Sequence, residues 1–148
     1  MKLDRYELAA EASLMVFEFV SEGPRGKIRK LVQFNETNLK GFYNLAFGDL
    51  DVVTGEINDS IVSKNNDSDK VLATVVATVY AFTEKYPDSW IYATGSTKSR
   101  TRLYRIGLTK YWAEIVKDFE LYGERLGEWE IFNKDVEYKA FLVQRKND

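Results

Sequence analysis

A sixteen-residue stretch of helical period most restricts what this chain can fold into. Apolar residues recur in it at spacings of four, four, three and four: Val71, Val75, Val79, Phe82 and Tyr86. This period places them on one face of an α-helix. β-branched residues favour strands locally, but the stretch exceeds the usual length of a strand. We therefore predict a helix that begins at Asp67 or Ser68, with one of them as the N-cap, and ends before Pro87.

Strand-like segments lie on both sides of this helix. Four strands are predicted before it, at Leu14–Val20, Lys27–Phe34, Phe42–Leu50 and Glu56–Ser63, the first two joined by a loop of about five residues. After it we predict a strand, a helix and a closing hairpin, at Trp90–Ala93, Arg100–Asp118, Trp129–Phe132 and Tyr138–Val143. The later helix is predicted from apolar residues at helical spacing: Tyr104, Leu108, Tyr111, Ile115 and Phe119. The order β-β-β-β-α-β-α-β-β predicts an α+β fold in which two helices cover a mainly antiparallel sheet.

The length and the apolar pattern limit the number of domains and argue against a membrane-spanning segment. With 148 residues and no linker-like or repeated segment, we predict a single domain over residues 1–148. The apolar run Leu14–Val20 is preceded by acidic residues and is too short to span a membrane. We therefore expect a cytoplasmic protein without a membrane partner.

Two residue types that carry much protein chemistry are missing from the sequence. None of the 148 residues is Cys or His. Their absence excludes disulfides, thiolate and imidazole metal ligands, a Cys nucleophile and a Ser-His-Asp triad. The acidic turn around Asp51 also lacks the spacing of a calcium-binding loop. We predict no metal site and no cofactor, and a two-carboxylate hydrolase site or a Mg²⁺ nuclease site at this turn stays open as the alternative.

The most informative stretch for function follows the predicted strand Trp90–Ala93. Lys98–Lys110, which we call the basic helix segment, contains five basic residues and no acidic residue. A turn with glycine and hydroxyl side chains precedes it. Unpaired N–H groups at a helix start, together with hydroxyl donors, favour phosphate or carboxylate. The predicted site for an anion or nucleic acid comprises Thr94, Gly95, Ser96, Thr97, Lys98, Ser99, Arg100, Arg102 and Arg105.

The spacing of the cations supports this interpretation, and a structural alternative stays open beside it. On a helix Lys98, Arg102 and Arg105 share one face, which Thr109 extends. In the alternative, these cations pair with some of the 23 acidic residues, and the hydroxyl residues are ordinary helix caps. The segment is not a P-loop, because no glycine stands directly before Lys98.

A second basic stretch is Arg25–Lys30, which we call the basic hairpin segment. It contains four cations and no acid, and Arg25, Lys27 and Arg29 alternate so that they would project from one face of a strand. In the alternative, these cations protect a sheet edge from aggregation. With nine cations in the two basic segments and a net charge of −2, the rest of the chain carries −11. Such polarity is typical of proteins that bind nucleic acid or another polyanion.

Aromatic residues near the basic segments are candidates for stacking on nucleobases. They are Phe34, Tyr92, Tyr104 and Trp112. Aromatic residues at helical or alternating positions more often belong to the core. Trp112 lies off the main apolar stripe and is therefore the best surface candidate.

Several stretches resemble a family of small, single-domain bacterial proteins known only as a domain of unknown function. The resemblance is carried by Ser21–Ile28, Asp69–Val75, Tyr80–Lys85 and Ala93–Arg105, and it covers nearly the whole chain. It implies a bacterial, cytoplasmic protein and supplies no catalytic residue. The first half, Leu14–Tyr86, is also similar to small folds that bind single-stranded nucleic acid with four antiparallel strands followed by a helix.

The leading functional hypothesis is a non-enzymatic binding module for nucleic acid or another phosphate-bearing ligand. Two alternatives stay open. One is an enzyme that acts on RNA or a phosphoester without histidine, in which arginines of the basic helix segment stabilise charge and Tyr104 or a carboxylate transfers a proton. The other is a protein-interaction partner that uses the acidic band Glu114–Glu130 to meet a basic protein.

Overall fold

A computed structural model describes residues 4–58, 64–95 and 98–146. These residues form an α+β fold with nine mostly antiparallel strands and three helices, which confirms the predicted class and the mainly antiparallel sheet. The predicted count of two helices and the predicted order β-β-β-β-α-β-α-β-β are wrong, because the observed order is β-β-β-β-β-α-β-α-α-β-β-β. The chain divides into two compact units, here called unit 1 (Met1–Phe34 and Ala46–Lys85) and unit 2 (Asn35–Leu45 and Tyr86–Asp148). The single domain over residues 1–148 stays a prediction. No helix in the described ranges is long and apolar enough to cross a membrane.

Unit 1 is built on a long antiparallel hairpin. Its elements are β1 (Ala9–Ala10), β2 (Val16–Gly23), most of β3 (Gly26–Glu36), the end of β4 (Phe42–Leu50), β5 (Ile57–Asn58) and helix α1 (Ser68–Lys85). β2 pairs with β1 and β3, and β5 pairs with β4, all antiparallel. The turn between β2 and β3 has two residues, Pro24 and Arg25, and is shorter than predicted. Gly26 at the start of β3 has φ +86, a left-handed conformation that suits glycine in so tight a turn.

The core of unit 1 explains why a valine- and threonine-rich segment folds as a helix. Phe82 of α1 is fully buried, and its ring stacks on that of Phe34 with 4.2 Å between centroids. Three threonines of α1, also fully buried, donate their hydroxyl hydrogens to backbone carbonyls of the same helix: Thr74, Thr78 and Thr83. Their polarity is thereby satisfied inside the helix. Burial of one face outweighs the weak preference of these residues for strands.

Unit 2 contains a second group of paired strands and two helices. Its elements are the start of β4, β6 (Trp90–Ala93), α2 (Lys98–Lys110), α3 (Trp112–Asp118), β7 (Phe119–Arg125), β8 (Glu128–Ile131) and β9 (Ala140–Arg145). The strand order is β4-β6-β9-β7-β8. β4 and β6 are parallel, whereas the other pairs are antiparallel. The predicted strands at Phe42–Leu50 and Trp90–Ala93 are confirmed with the bounds given.

The prediction of one helix over Arg100–Asp118 is wrong, because the helix is interrupted at Tyr111. α2 ends at Lys110 and α3 begins at Trp112, with no side-chain cap from Tyr111. Phe119, predicted as the last residue of the helical stripe, is extended and begins β7. Phe119 lies four residues after Ile115, which is the spacing expected on one face of a helix. The period-two burial from Phe119 onward marks the strand.

The predicted closing hairpin is also wrong in its partners. β8 pairs with β7, and β9 lies on the other side of β7, between β7 and β6. Tyr138 packs directly on Gly123, where an added Cβ would lie 2.4 Å from the ring. The residues after β8 therefore cross beside β7 rather than turn back against β8. The predicted strand Glu56–Ser63 is seen only as Ile57–Asn58, and residues 59–63 lie outside the described residues.

Candidate functional site

The basic helix segment forms α2, and its exposed side is mainly cationic. Tyr104 and Gly107 are buried and turn one side of the helix inward. A strip of residues spaced by four is exposed: Lys98, Arg102, Ile106 and Lys110. The helix has no acidic residue in its first turn or anywhere along its length. Charges on this strip therefore have no acidic neighbour within the helix to pair with.

Lys98 and Arg102 carry the strongest signal of the site. Across the described residues, no ion pair or side-chain hydrogen bond involves either of them. Both side chains are exposed. They lie one helical turn apart on the same face, as the sequence predicts. Because these two cations have no ion pair in the described part of the chain, they are placed to meet an external anion.

Fewer side chains of the predicted cationic face of α2 are available to a ligand than the residue pattern suggests. The Arg105 side chain is only half-exposed, and its Nε–H donates to the carbonyl of Val136 over 3.2 Å. The hydroxyl oxygen of Thr109 is buried and has no hydrogen-bond partner in the described part of the chain. Nothing is described for the side chain of Arg100. Arg105 therefore ties α2 to the loop before β9, with part of its guanidinium engaged.

In the turn before α2, hydrogen-bond donors that the predicted anion site requires already donate to other residues of the chain. The Thr94 hydroxyl donates to the carbonyl of Lys139 over 2.8 Å, and the N–H of Gly95 donates to Oγ1 of Thr101 over 2.9 Å. Ser96 and Thr97 lie outside the described residues. An anion at Thr94 or Gly95 would compete with these internal hydrogen bonds. Ser99, in the first turn of α2, is exposed.

The basic hairpin segment differs because acids oppose its cations. In the register of β2 and β3, Glu22 lies opposite Lys27, and Arg29 lies near Glu18 on the same face. The Arg29–Glu18 ion pair measures 2.5 Å and the Lys27–Glu22 pair 3.9 Å. The hydrogen bond to Glu18 raises the pKa of Arg29. These two cations are thus neutralised within the hairpin itself.

The other two cations of this segment point elsewhere. Arg25 lies in the turn rather than on the strand, and its backbone N–H donates to Oδ1 of Asn65 over 2.7 Å. Lys30 lies on the opposite, core-facing side of β3 and pairs with Asp49 over 2.5 Å. The side chains of this pair are only 7% and 13% exposed. The predicted single face of Arg25, Lys27 and Arg29 therefore reduces to two residues, each with an acidic partner.

A polar cluster in unit 1 involves a buried serine and an aspartate, and we interpret it as structural. Asp67 accepts hydrogen bonds from the hydroxyl of Ser21 and, over 2.6 Å, from that of Tyr6. Ser21 is fully buried, so it is not reachable as a nucleophile. Burial, and next the hydrogen bond to Asp67, raise the pKa of Tyr6. The cluster fastens the N-terminal segment and the start of α1 to the hairpin.

The four aromatic candidates divide by burial. Phe34 is buried against Phe82, and Tyr104 is only 6% exposed, so neither is available for stacking on a base. Tyr92 is half-buried, and Trp112 is exposed. Sequence reasoning missed a larger set of partly exposed aromatic residues that lie on one face of four strands of unit 2: Phe42, Trp90, Tyr92, Tyr122 and Trp129. The period-two spacing of Trp90 and Tyr92 around the buried Ile91 signals such a face.

Comparisons with known proteins place the chain in a family without giving it an activity. Among the described residues, no group of three or more Asp or Glu could hold a metal ion. Comparison with curated proteins and with solved structures found no match. A family model described as a family of unknown function, DUF6934, matches residues 2–146. Because this match spans nearly the whole chain and confirms the resemblance seen in the sequence, the chain belongs to the DUF6934 family.

Proposed function

We propose that this protein is a non-enzymatic binding module for nucleic acid or another phosphate-bearing ligand, with the exposed strip of α2 as its contact surface. One observation carries the proposal. Lys98 and Arg102 are exposed on an acid-free helix and have no ion pair among the described residues. Cations without internal partners can neutralise phosphates and release the counterions that surround them.

Two cations of the strip and two polar residues beside it have different parts in such contact. The guanidinium of Arg102 is suited to bidentate contact with a phosphate, whereas Lys98 acts as a point charge at the helix start. Ser99 adds a hydroxyl, and Arg105 contributes the part of its guanidinium not bound to Val136. Lys27 and Arg29 contribute little field, because Glu22 and Glu18 face them.

Binding is favoured over the enzymatic alternative by the position of Tyr104. Proton transfer requires a group within hydrogen-bonding reach of the substrate. Tyr104 is buried on the inner side of α2, away from the exposed strip that holds Lys98 and Arg102. Tyr104, one of the two kinds of group that the enzymatic hypothesis assigned to proton transfer, is therefore not beside the cations.

The test is a fluorescence-anisotropy titration at two salt concentrations. The probes are short labelled single-stranded DNA, single-stranded RNA and duplex DNA, with inorganic polyphosphate as an unlabelled competitor. Affinity should fall steeply with salt, and K98E/R102E should abolish binding. The matched control is R25E/K27E, which makes the same change in net charge on the other basic segment and should bind nearly as well as the original chain.

Either of two results would overturn the proposal. One is absence of binding to all four polyanions at low salt. The other is equal loss of affinity in both double variants, because a general effect of net charge would then replace a site on α2. Direct binding of polyphosphate, measured by calorimetry, without any binding of the nucleic acids would keep the phosphate site and remove nucleic acid as its ligand.

A further inference from the structure

The sheet of unit 2 has one face that is packed and one that is not. Residues that alternate along its strands are buried on the first face, including Ile91, Leu121, Phe141 and Val143. Apart from the small, buried Ala140 at the start of β9, the residues between them are half-buried or exposed. We call the second set the aromatic face, and its members are Phe42, Trp90, Tyr92, Tyr122, Trp129, Ile131 and Leu142, together with Glu120 and Glu124.

The rings of this face form a continuous surface. Phe42 stacks on Trp90 with 5.9 Å between centroids, and Trp90 lies at the same distance from Tyr122. Trp129 leans across the sheet to contact Tyr92 edge to face at 6.0 Å. None of the five aromatic residues is fully buried. Such a cluster of partly exposed aromatic rings is typical of an interaction surface rather than of an ordinary protein exterior.

The charge of the aromatic face is acidic. Within strands β6 to β9 and the start of β4, the positions on this face include Glu120 and Glu124 and no lysine or arginine. Burial, and next the charge of Glu124, raise the pKa of Tyr92, which agrees with a carboxylate close to the rings. Nucleic acid requires cations for its phosphates, so this face does not suit it. Arginine does suit it, because a guanidinium stacks on tryptophan or tyrosine and pairs with a carboxylate.

The aromatic face ends at an open strand edge. β8 pairs only with β7 in the described sheet. The N–H of Phe132 donates to the carbonyl of Leu121, so alternation along the antiparallel register directs the N–H groups of Trp129 and Ile131 outward. Ile131 is 78% exposed. Within the described residues no hydrogen bond uses these two N–H groups, so an extended chain can pair with them here, beside the rings and carboxylates.

From these observations we propose that the aromatic face binds an extended, arginine-bearing segment of a protein partner along β8. The guanidinium groups of the segment stack on Trp129 and pair with Glu124, which lies opposite Trp129 on β7, and the carboxylate of Glu120 adds to the negative charge of the face. The site is separate from the cationic strip of α2, so it adds a protein partner to the proposed phosphate-binding function and does not depend on it. Antiparallel pairing of two copies of β8 centred on Glu130 is disfavoured, because that register places Glu130 opposite its own equivalent.

The probe is a synthetic eight-residue peptide that alternates arginine and valine, titrated into the full-length chain while tryptophan fluorescence is followed. Binding should be saturable, and at least about tenfold weaker in W129A and in E120Q/E124Q, since a cation–π contact and an ion pair each approach this magnitude when partly desolvated. The matched control is W112A, because Trp112 is 39% exposed, close to the 41% of Trp129, and lies on α3 outside the aromatic face. It should bind as the original chain does, and so should K98E/R102E.

Three outcomes would overturn this proposal. They are no saturable binding of the peptide, equal weakening by W112A and W129A, and binding of a peptide that alternates glutamate and valine with the same affinity. Loss of oligonucleotide binding in W129A, with peptide binding unchanged, would assign the face to nucleic acid instead. Thermal unfolding of each variant identifies any loss of folding, and E120Q/E124Q tests the proposal if W129A fails to fold.

Discussion

The two basic segments are similar in sequence and differ in structure. Arg25–Lys30 has four cations without an acid, and Lys98–Lys110 has five. In the hairpin, acids of β2 and β4 pair with Lys27, Arg29 and Lys30. In the helix, Lys98 and Arg102 have no such partner among the described residues. A run of cations on a strand is compensated by whichever strand pairs with it, whereas a helix that has no acids along its length offers its cations no local compensation.

The largest expected effect lies at the buried pair of the hairpin. K30M leaves Asp49 nearly buried without its cation, so the free energy of unfolding should fall by about 3–5 kcal/mol. Chemical denaturation measures this loss. The matched control is K98M, which replaces an exposed cation that has no ion pair among the described residues and should change the free energy of unfolding by less than about 0.5 kcal/mol.

A double variant separates loss of the pair from loss of packing. K30M/D49L replaces both charges by apolar groups and should recover much of the stability lost in K30M. Equal destabilisation by K30M and K98M would show that the two basic segments do not differ in the way described. No recovery in the double variant would assign the cost to the shape of the site and not to an orphaned charge.

The next prediction compares the two basic segments by their contribution to ligand binding rather than to stability. R102Q should lower the slope of log affinity against log salt by about 1 for duplex DNA, because one phosphate contact is lost. R29Q should leave the slope unchanged, because Glu18 already holds the guanidinium. Titrations at four salt concentrations measure both slopes. A fall in slope with R29Q and none with R102Q would reverse the assignment of the two segments.

A smaller, opposite effect is expected when the hairpin acids are removed. E18Q/E22Q frees Arg29 and Lys27, so affinity for the same probes should rise a few-fold at low salt. The lost ion pairs are exposed, and each contributes only about 0–1 kcal/mol to folding. Anisotropy and denaturation on the same samples check both statements. Unchanged affinity would mean that the hairpin lies too far from the bound ligand for its charge to matter.

Local pattern predicted much of this fold correctly. The helix at Ser68–Lys85 and the strands at Phe42–Leu50 and Trp90–Ala93 were predictable because one period dominates each segment. Strand β7 was not predictable in this way. Phe119 continues the helical spacing from Ile115, and the alternation that marks the strand also begins at Phe119. The partners of β8 and β9 depend on pairing between distant segments, about which local pattern carries no information.

The candidate site was predictable only in part for a related reason. The shared face of Lys98 and Arg102 follows from helix geometry alone. The compensation of Lys27 and Arg29 does not, because it depends on which residues β2 places opposite β3. The internal hydrogen bonds of Thr94 and Gly95 involve Lys139 and Thr101 and depend equally on the fold. The aromatic face appears only once β6, β9, β7 and β8 are placed side by side in register.

The smallest expected effect is a pH dependence of the free energy of unfolding. It arises at Tyr6, beside the hairpin of unit 1, and not at the proposed binding helix α2. Burial and the hydrogen bond to Asp67 raise the pKa of Tyr6 above its ordinary value of 10.0. A group whose pKa is raised on folding contributes its stability below the unfolded pKa and loses it as pH rises through the folded value. The free energy of unfolding should therefore be level below pH 10 with respect to Tyr6 and should decline above it. Denaturation midpoints from pH 8 to pH 11 measure the decline.

Y6F provides the control for this decline. It removes the hydroxyl that donates to Asp67, so the free energy of unfolding should fall by about 1 kcal/mol at neutral pH. Above pH 10 its decline should be shallower than that of the original chain, because the titrating group is gone. Tyr138 of unit 2, whose pKa burial also raises, remains in both proteins and accounts for part of the slope that persists. Parallel curves for the two proteins would show that Tyr6 ionises as readily in the folded chain as in the unfolded one, and that the hydroxyl does not fasten the N-terminal segment to the hairpin.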